Sequence, residues 1–146
     1  MKKQIKISEL IKMPANRFHP LVYIGGKPKI GKNVYIGLLS EVNAQGSEVK
    51  IGDNCDIASF VSINVADSHR KAIGLAKGIE RKSIVLEHDV FVGSHCFIGG
   101  GVHLGHHSVV AAGTIITKPC KAPPYSLIIG NPAVIKPGHY KKNKKK

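Results

Sequence analysis

The sequence predicts an all-β solenoid, a parallel β-helix built from hexapeptide repeats. Three observations carry this. Every sixth residue from Leu86 is a branched aliphatic: Leu86, Val92, Ile98, Leu104, Val110 and Ile116. Glycine or alanine follows directly at Gly93, Gly99, Gly105 and Ala111, and two residues before the aliphatics stand Val90, Cys96, Val102, Ser108 and Thr114. A helix turns about 100° per residue and would scatter a six-residue repeat around its surface. A strand alternates with period two, so each aliphatic and its partner two residues back point the same way. The glycines mark bends, because they accept backbone conformations that β-branched residues resist. Short strands joined by regular corners and stacked around one interior make a β-helix, whose sequence mark is this period.

Taken in order, residues 1–20 read as a cap. Residues 5–13 predict a short amphipathic helix with Ser8 as N-cap, Leu10 and Ile11 inward, and Pro14 ending it. Coils are expected over 21–118. Their beat starts at Ile24, Ile30, Ile36 and Val42, skips three residues, and resumes at Ile51, Ile57 and Ile63 with Val49, Cys55 and Val61 as inward partners. The skipped stretch around Gly46 to Glu48 should bulge at a corner, which leaves later coils in register. After Ile63 the beat stops for about twenty residues before Leu86. That interval holds Asn64, Asp67, His69, Arg70 and the charged run Lys77 to Lys82. Stacked coils gain nothing from so long an excursion, and loops of this length in compact domains are usually functional. After Ile116 the repeat fades into a turn over 119–138, marked by Pro119, Pro123, Pro124, Gly130, Asn131 and Pro132. One domain is therefore expected over 1–140, with a basic tail at 139–146.

Length and charge narrow the function. The chain has 146 residues, room for one domain. Its formal net charge is +13, and subtracting the five lysines among the last six residues leaves +8 on the body. Such an excess predicts an anionic partner. The tail itself reads as a solvated charge run, and no aromatic interleaves with its lysines, which argues against single-stranded nucleic acid. Cys55 and Cys96 fall at inward positions and read as core packing, with Cys120 left over. With no apolar leader and no long apolar run, a reducing cytoplasm and no membrane span are expected.

Among eight histidines, His95, His103, His106 and His107 sit at outward coil positions and read as surface residues. His69 lies in the excursion beside Asp67 and Asn64, and a neutral imidazole is the usual general base toward a hydroxyl or ammonium. The sequence holds no Ser/His/Asp set, phosphate loop or CxxC pair.

Residues 24–134 resemble the hexapeptide-repeat acyltransferases, left-handed β-helix enzymes that move acetyl groups from acetyl-CoA. The resemblance is nearest to the sugar and xenobiotic O- or N-acetyltransferases. It rests on Ile84 to Gly93, Val110-Ala111-Ala112-Gly113, Thr117-Lys118, Pro123-Pro124-Tyr125-Ser126 and Gly130-Asn131-Pro132-Ala133. It implies His69 as catalytic base, and a homotrimer with the pantetheine arm in a groove between subunits. It further implies Ser94 and Ala112 along that arm, Thr117 and Lys118 at the nucleotide phosphates, and Phe91 as an apolar wall where many relatives have tryptophan. No metal is implied. Asn64 is an expected acceptor contact, and Asp67 orients the loop or the imidazole, or serves as a turn residue.

Two departures bear on the acceptor. Maltose and galactoside acetyltransferases orient the sugar with an asparagine whose place is Leu38 here, and their longer helical N-terminal segment is missing. The loop with Arg70 and Lys82 resembles instead enzymes that acetylate amino sugars on a nucleotide carrier. Oxygen and nitrogen acceptors both stay open. A zinc enzyme like the β-helical carbonic anhydrases needs a histidine five residues after another, but His106 is followed by Ala111 and His88 by Gly93. A non-catalytic interaction scaffold is the remaining alternative.

Overall fold

The computed structural model describes residues 13–142. The helix expected over 5–13 falls almost wholly outside the described residues, as does the end of the lysine tail. Short strands wind through five turns of a left-handed parallel β-helix, three faces to a turn. Face A stacks β1 (Tyr23–Gly25), β4 (Glu41–Asn43), β7 (Ser62–Asn64), β12 (Phe97–Gly99) and β15 (Ile115–Ile116). Face B stacks β2 (Lys29–Ile30), β5 (Val49–Ile51), β10 (Ile84–Leu86), β13 (Val102–Leu104) and β16 (Cys120–Ala122). Face C stacks β3 (Tyr35–Ile36), β6 (Asp56–Ile57), β11 (Phe91–Val92), β14 (Val109–Val110) and β17 (Leu127–Ile129), and β18 (Val134–Lys136) folds back antiparallel on β17.

The register follows from the side chains. Leu86 pairs with Leu104, Ile98 with Ile116 and Val92 with Val110, so residues eighteen apart lie one above the other. Each of these aliphatics is essentially sealed from solvent, as are Val90, Cys96, Val102, Ser108 and Thr114. Burying one such aliphatic stabilises by about 1.5–3 kcal/mol, which fixes the register because a one-residue slip would turn the whole set outward. The inward hydroxyls are satisfied by neighbouring coils: Ser40 donates to the Ala58 carbonyl at 2.8 Å, and Ser108 accepts the Ser126 N–H at 3.1 Å. Burial pushes the Cys55 and Cys96 thiols up, consistent with packing rather than chemistry.

The coils run on past the last hexad read from the sequence. Ala122 and Ile128 continue the six-residue beat from Ile116 and are fully buried. An alanine at one beat position, with prolines on the corners around it, hides the fifth turn. Those prolines stand at corners, outside the strand ladder, where a missing N–H costs nothing.

Two edges of the prism are regular. Between faces B and C, Asn33, Asn54, Asp89, His107 and Tyr125 repeat one left-handed corner residue, with φ from 52° to 62°. Between C and A the same role falls to Leu39, Phe60, His95 and Gly113. The A/B edge is different. It carries the enlarged corner at 44–48, the whole excursion, a tight triple-glycine corner at Gly99–Gly101, and Thr117–Pro119. Within the coils of the described residues, the insertions are gathered on this one edge.

Candidate active site

The excursion leaves β7 at Asn64, whose amide oxygen accepts the Ala66 N–H at 2.9 Å. It runs out through β8 (Ala66–Asp67), turns at the short helix α1 (His69–Ala72), and returns through β9 (Glu80–Arg81), antiparallel to β8. Its base is clasped from both sides. Below, Arg81 lies over Gly46, where a Cβ would come within 2.6 Å of the arginine chain, and its Nε donates to the Gln45 carbonyl at 3.1 Å. Above, a Cβ on Gly100 would meet the carbonyls of Val65 and Lys82 at 2.9 and 3.0 Å. The bulge expected near Gly46 thus does more than preserve register, because it seats the returning strand. Arg70 pairs with Glu80 at 2.9 Å and ties the tip to its own stem.

Between the excursion and the corners of the last two coils lies a cleft of about 450 Å³. His69, Asp67, Lys82 and Glu80 line one wall, and Phe97, Gly99, Gly100, Thr117 and Pro119 the other. Nδ1 of His69 meets Oδ1 of Asp67 at 2.5 Å, and the same oxygen accepts the His69 backbone N–H at 3.0 Å. The two bonds tie the first residue of α1 to the end of β8. A carboxylate at Nδ1 holds the ring proton there and leaves the Nε2 lone pair available. The imidazole in turn holds the Asp67 carboxyl below its ordinary range, with the His69 amide and Lys82 adding to the effect. Both side chains are solvent-accessible, 65% for His69 and 54% for Asp67, so the pair is open to the cleft.

The other expected site residues separate into groups. Thr117 shares the cleft with His69, and Lys118 follows it on the exposed corner. Ser94 and Ala112 lie together on the opposite edge of face A, where the Ser94 carbonyl accepts the Gly113 N–H at 2.9 Å and a Cβ on Gly93 would meet the Ala112 nitrogen at 2.5 Å. Phe91 faces outward on face C and lines a separate cleft with Tyr125, Tyr140, Lys141 and Lys142. Asn64 stands at the root of the excursion with its oxygen engaged in the turn. Of the basic pair expected at the acceptor, Lys82 reaches the cleft while the Arg70 charge is held by Glu80. Sequence reasoning missed Phe97, Gly100 and Pro119 as cleft residues. Their signal lay in coil register, since Gly99 pairs with Asn64 and so places the triple glycine beside the excursion root.

Coil register, buried hexads and a long detour on one edge together define a hexapeptide-repeat β-helix. Comparison with known proteins gives the family. The model for the hexapeptide repeat of succinyl-transferase matches residues 29–64 and 83–118, and the interval between them is the excursion. The galactoside O-acetyltransferase of Escherichia coli (strain K12) is 36% identical over 117 residues, 77% of this chain and 56% of that protein. A solved galactoside acetyltransferase in complex with coenzyme A superposes with a TM-score of 0.69 at 32% identity, covering 84% of this chain and 60% of that one. A hexapeptide-repeat acetyltransferase from Vibrio cholerae gives 0.64 at 30% identity, over 75% and 61% of the two chains. The chain belongs to the hexapeptide-repeat acyltransferase family, and it spans 56–61% of the length of these relatives.

Proposed function

We propose that the protein is an acetyl-CoA-dependent acetyltransferase whose acceptor is a sugar, specifically an amino sugar carried on a nucleotide. The observation that carries this reading is the Asp67–His69 pair, oriented by two hydrogen bonds and facing a cleft shared with Thr117. Nε2 of His69 takes the proton of the acceptor hydroxyl or amine, whose oxygen or nitrogen then attacks the thioester carbonyl. The carbon–sulfur bond breaks as the tetrahedral intermediate collapses, and the imidazolium returns its proton to the departing thiolate of CoA. A backbone amide at a coil corner supports the oxyanion, an effect worth about 2.7–4 kcal/mol where single donors have been removed from enzymes. Lys82 in the cleft and Lys118 beside Thr117 supply point charges for phosphate. The galactoside O-acetyltransferase relative favours a second acceptor, a free galactoside, against which Leu38 at the place of a sugar-orienting asparagine counts.

The active species is a homotrimer. Thr117, in the cleft with His69, lies along one edge of face A and Ser94 and Ala112 lie along the other, so a cofactor touching all three is served best by two copies meeting at a groove. A three-sided prism can close such contacts around a threefold axis, leaving no interface unsatisfied. Cytoplasmic placement agrees with buried thiols at Cys55 and Cys96 that stay reduced there. A thiol-release assay over nucleotide-linked amino sugars, free galactosides and amine antibiotics tests the activity and ranks the acceptors. Release with the first group is expected, and none with any acceptor, together with no saturable heat on CoA titration, would leave a scaffold. Sedimentation equilibrium should give three chains per particle, and a monomer at micromolar concentration would remove the shared groove.

A further inference from the structure

On the B/C edge, away from the cleft, the eighteen-residue register sets His88 and Asp89 of the third coil beside His106 and His107 of the fourth. The His88 and His106 rings stack with centroids 4.8 Å apart and planes 7° apart, matching the usual spacing between neighbouring strands. Nδ1 of His88 lies 2.7 Å from Oδ2 of Asp89, and Nδ1 of His106 lies 2.9 Å from Nδ1 of His107. One donor atom each from His88, Asp89 and His107 falls within 4.8 Å of the others, the one such group of three or more among the described residues. We propose that this array binds a divalent first-row transition ion, zinc being the best match to its donors.

The geometry supports the ion in three ways. Zinc bonds of about 2.0–2.2 Å at tetrahedral angles set donor atoms roughly 3.3–3.6 Å apart. The present separations bracket that range, so modest side-chain rotation brings three donors to one point, with the His106 ring adjoining. Imidazole nitrogen with carboxylate oxygen is a donor set that zinc and its neighbours accept readily. The corner is also rigidly supported. Glu87, directly before His88, accepts from His103 Nε2 at 2.8 Å and from the His106 backbone N–H at 2.9 Å, fixing one coil on the next. Lys141 and Lys142 border the adjoining cleft and oppose a cation, which sets the expected affinity in the micromolar range rather than tighter. A bound ion would staple the third and fourth coils on a different edge from the excursion, independently of acetyl transfer.

Zinc binding to the tag-free full chain, measured by competition with a chromophoric chelator, tests this. Substitutions must respect the left-handed backbone at Asp89 and His107, with φ of 55° and 56°, which asparagine tolerates. One zinc per chain is expected, weakened at least tenfold in both D89N and H107N and within twofold of the parent in H95N, a histidine at the like corner of another edge. Cobalt in place of zinc should give visible d–d bands in the parent that disappear in H107N. Stoichiometry below one, or affinity unchanged in D89N, would overturn the site. Should H107N fail to fold, D89N and the cobalt spectrum still decide.

Discussion

Asn43 and Asn64 stand opposite each other in the register of face A, and each turns its amide oxygen onto the N–H two residues ahead. The bonds are 3.0 Å to Gln45 and 2.9 Å to Ala66. The column they occupy continues as Gly25 below and Gly99 above. Asparagine appears at the two coils whose corners are enlarged, and glycine at two where the chain turns tightly. The side chain therefore does the work of starting a detour, an Asx turn that releases the strand from its ladder.

This sets a first expectation. Asn64→Asp keeps the oxygen and should fold as the parent does, whereas Asn64→Ala loses the bond at a cost of about 0.5–1.5 kcal/mol and loosens the excursion. If the Asn64 amide nitrogen also contacts the acceptor, Asn64→Asp raises KM for the acceptor with kcat nearly unchanged. Thermal melts beside steady-state kinetics separate the two roles.

His69→Ala should lower turnover by roughly 10²–10⁴-fold, the range for losing a general base. CoA affinity is expected to hold nearly unchanged, since the proposed cofactor contacts at Ser94, Ala112, Thr117 and Lys118 belong to other coils and the imidazole is not among them. The melting temperature should also hold, because an exposed pair contributes little to stability. Asp67→Asn reverses the polarity of the contact at Nδ1 and favours the wrong tautomer, so kcat should fall roughly tenfold or more while the fold survives. An Asp67→Asn enzyme with the parent's kcat would reduce Asp67 to a turn residue.

The Asp67 carboxyl is held below its ordinary value of 3.8, first by the His69 side chain and then by the His69 amide. A carboxyl depressed in the folded chain stabilises it above the unfolded value, and the contribution disappears as pH falls through the folded value. Carboxyl carbon NMR should show Asp67 titrating below 3.8 in the parent and returning toward it in His69→Ala. Any small stability difference between the two proteins should narrow over the same acidic window.

Gly100→Ala forces a Cβ against two backbone carbonyls, those of Val65 and Lys82, which cannot swing aside as side chains can. The expected result is a loosened excursion base, with hydrogen exchange rising across 65–82 and turnover falling while the coils keep their protection. Uniform exchange with full activity would show the clasp to be dispensable.

Much of this was legible because an inward position repeats. Ile98 and Cys96 announce their burial through spacing alone, and the break after Ile63 announces the excursion. What sits across the cleft was not legible. Phe97, Gly100 and Pro119 share a cleft with His69 only because consecutive coils bring residues 28 to 50 positions apart onto one edge, and no local pattern records that. The fifth turn escaped for a simpler reason, since Ala122 holds an aliphatic's place without looking like one. The four-residue array at His88, Asp89, His106 and His107 was readable as a pair of neighbours repeated after three hexads, but only once the coil length was fixed.

The Lys82 N–H donates to the Val65 carbonyl at 3.1 Å, so the detour ends within one hydrogen bond of where it began. To the coils the excursion is an ordinary corner, and closing a longer loop adds only about 0.6 kcal/mol for each doubling of length. If the excursion sets the acceptor as proposed, that choice is separable from the stability of the coils. An insertion of this kind behaves as an exchangeable cartridge: its tip, including the exposed Ile73 and Leu75, can be lengthened, trimmed or replaced while the solenoid beneath keeps its melting temperature. Under the proposed function, such a socket would let substrates change without first having to refound the core.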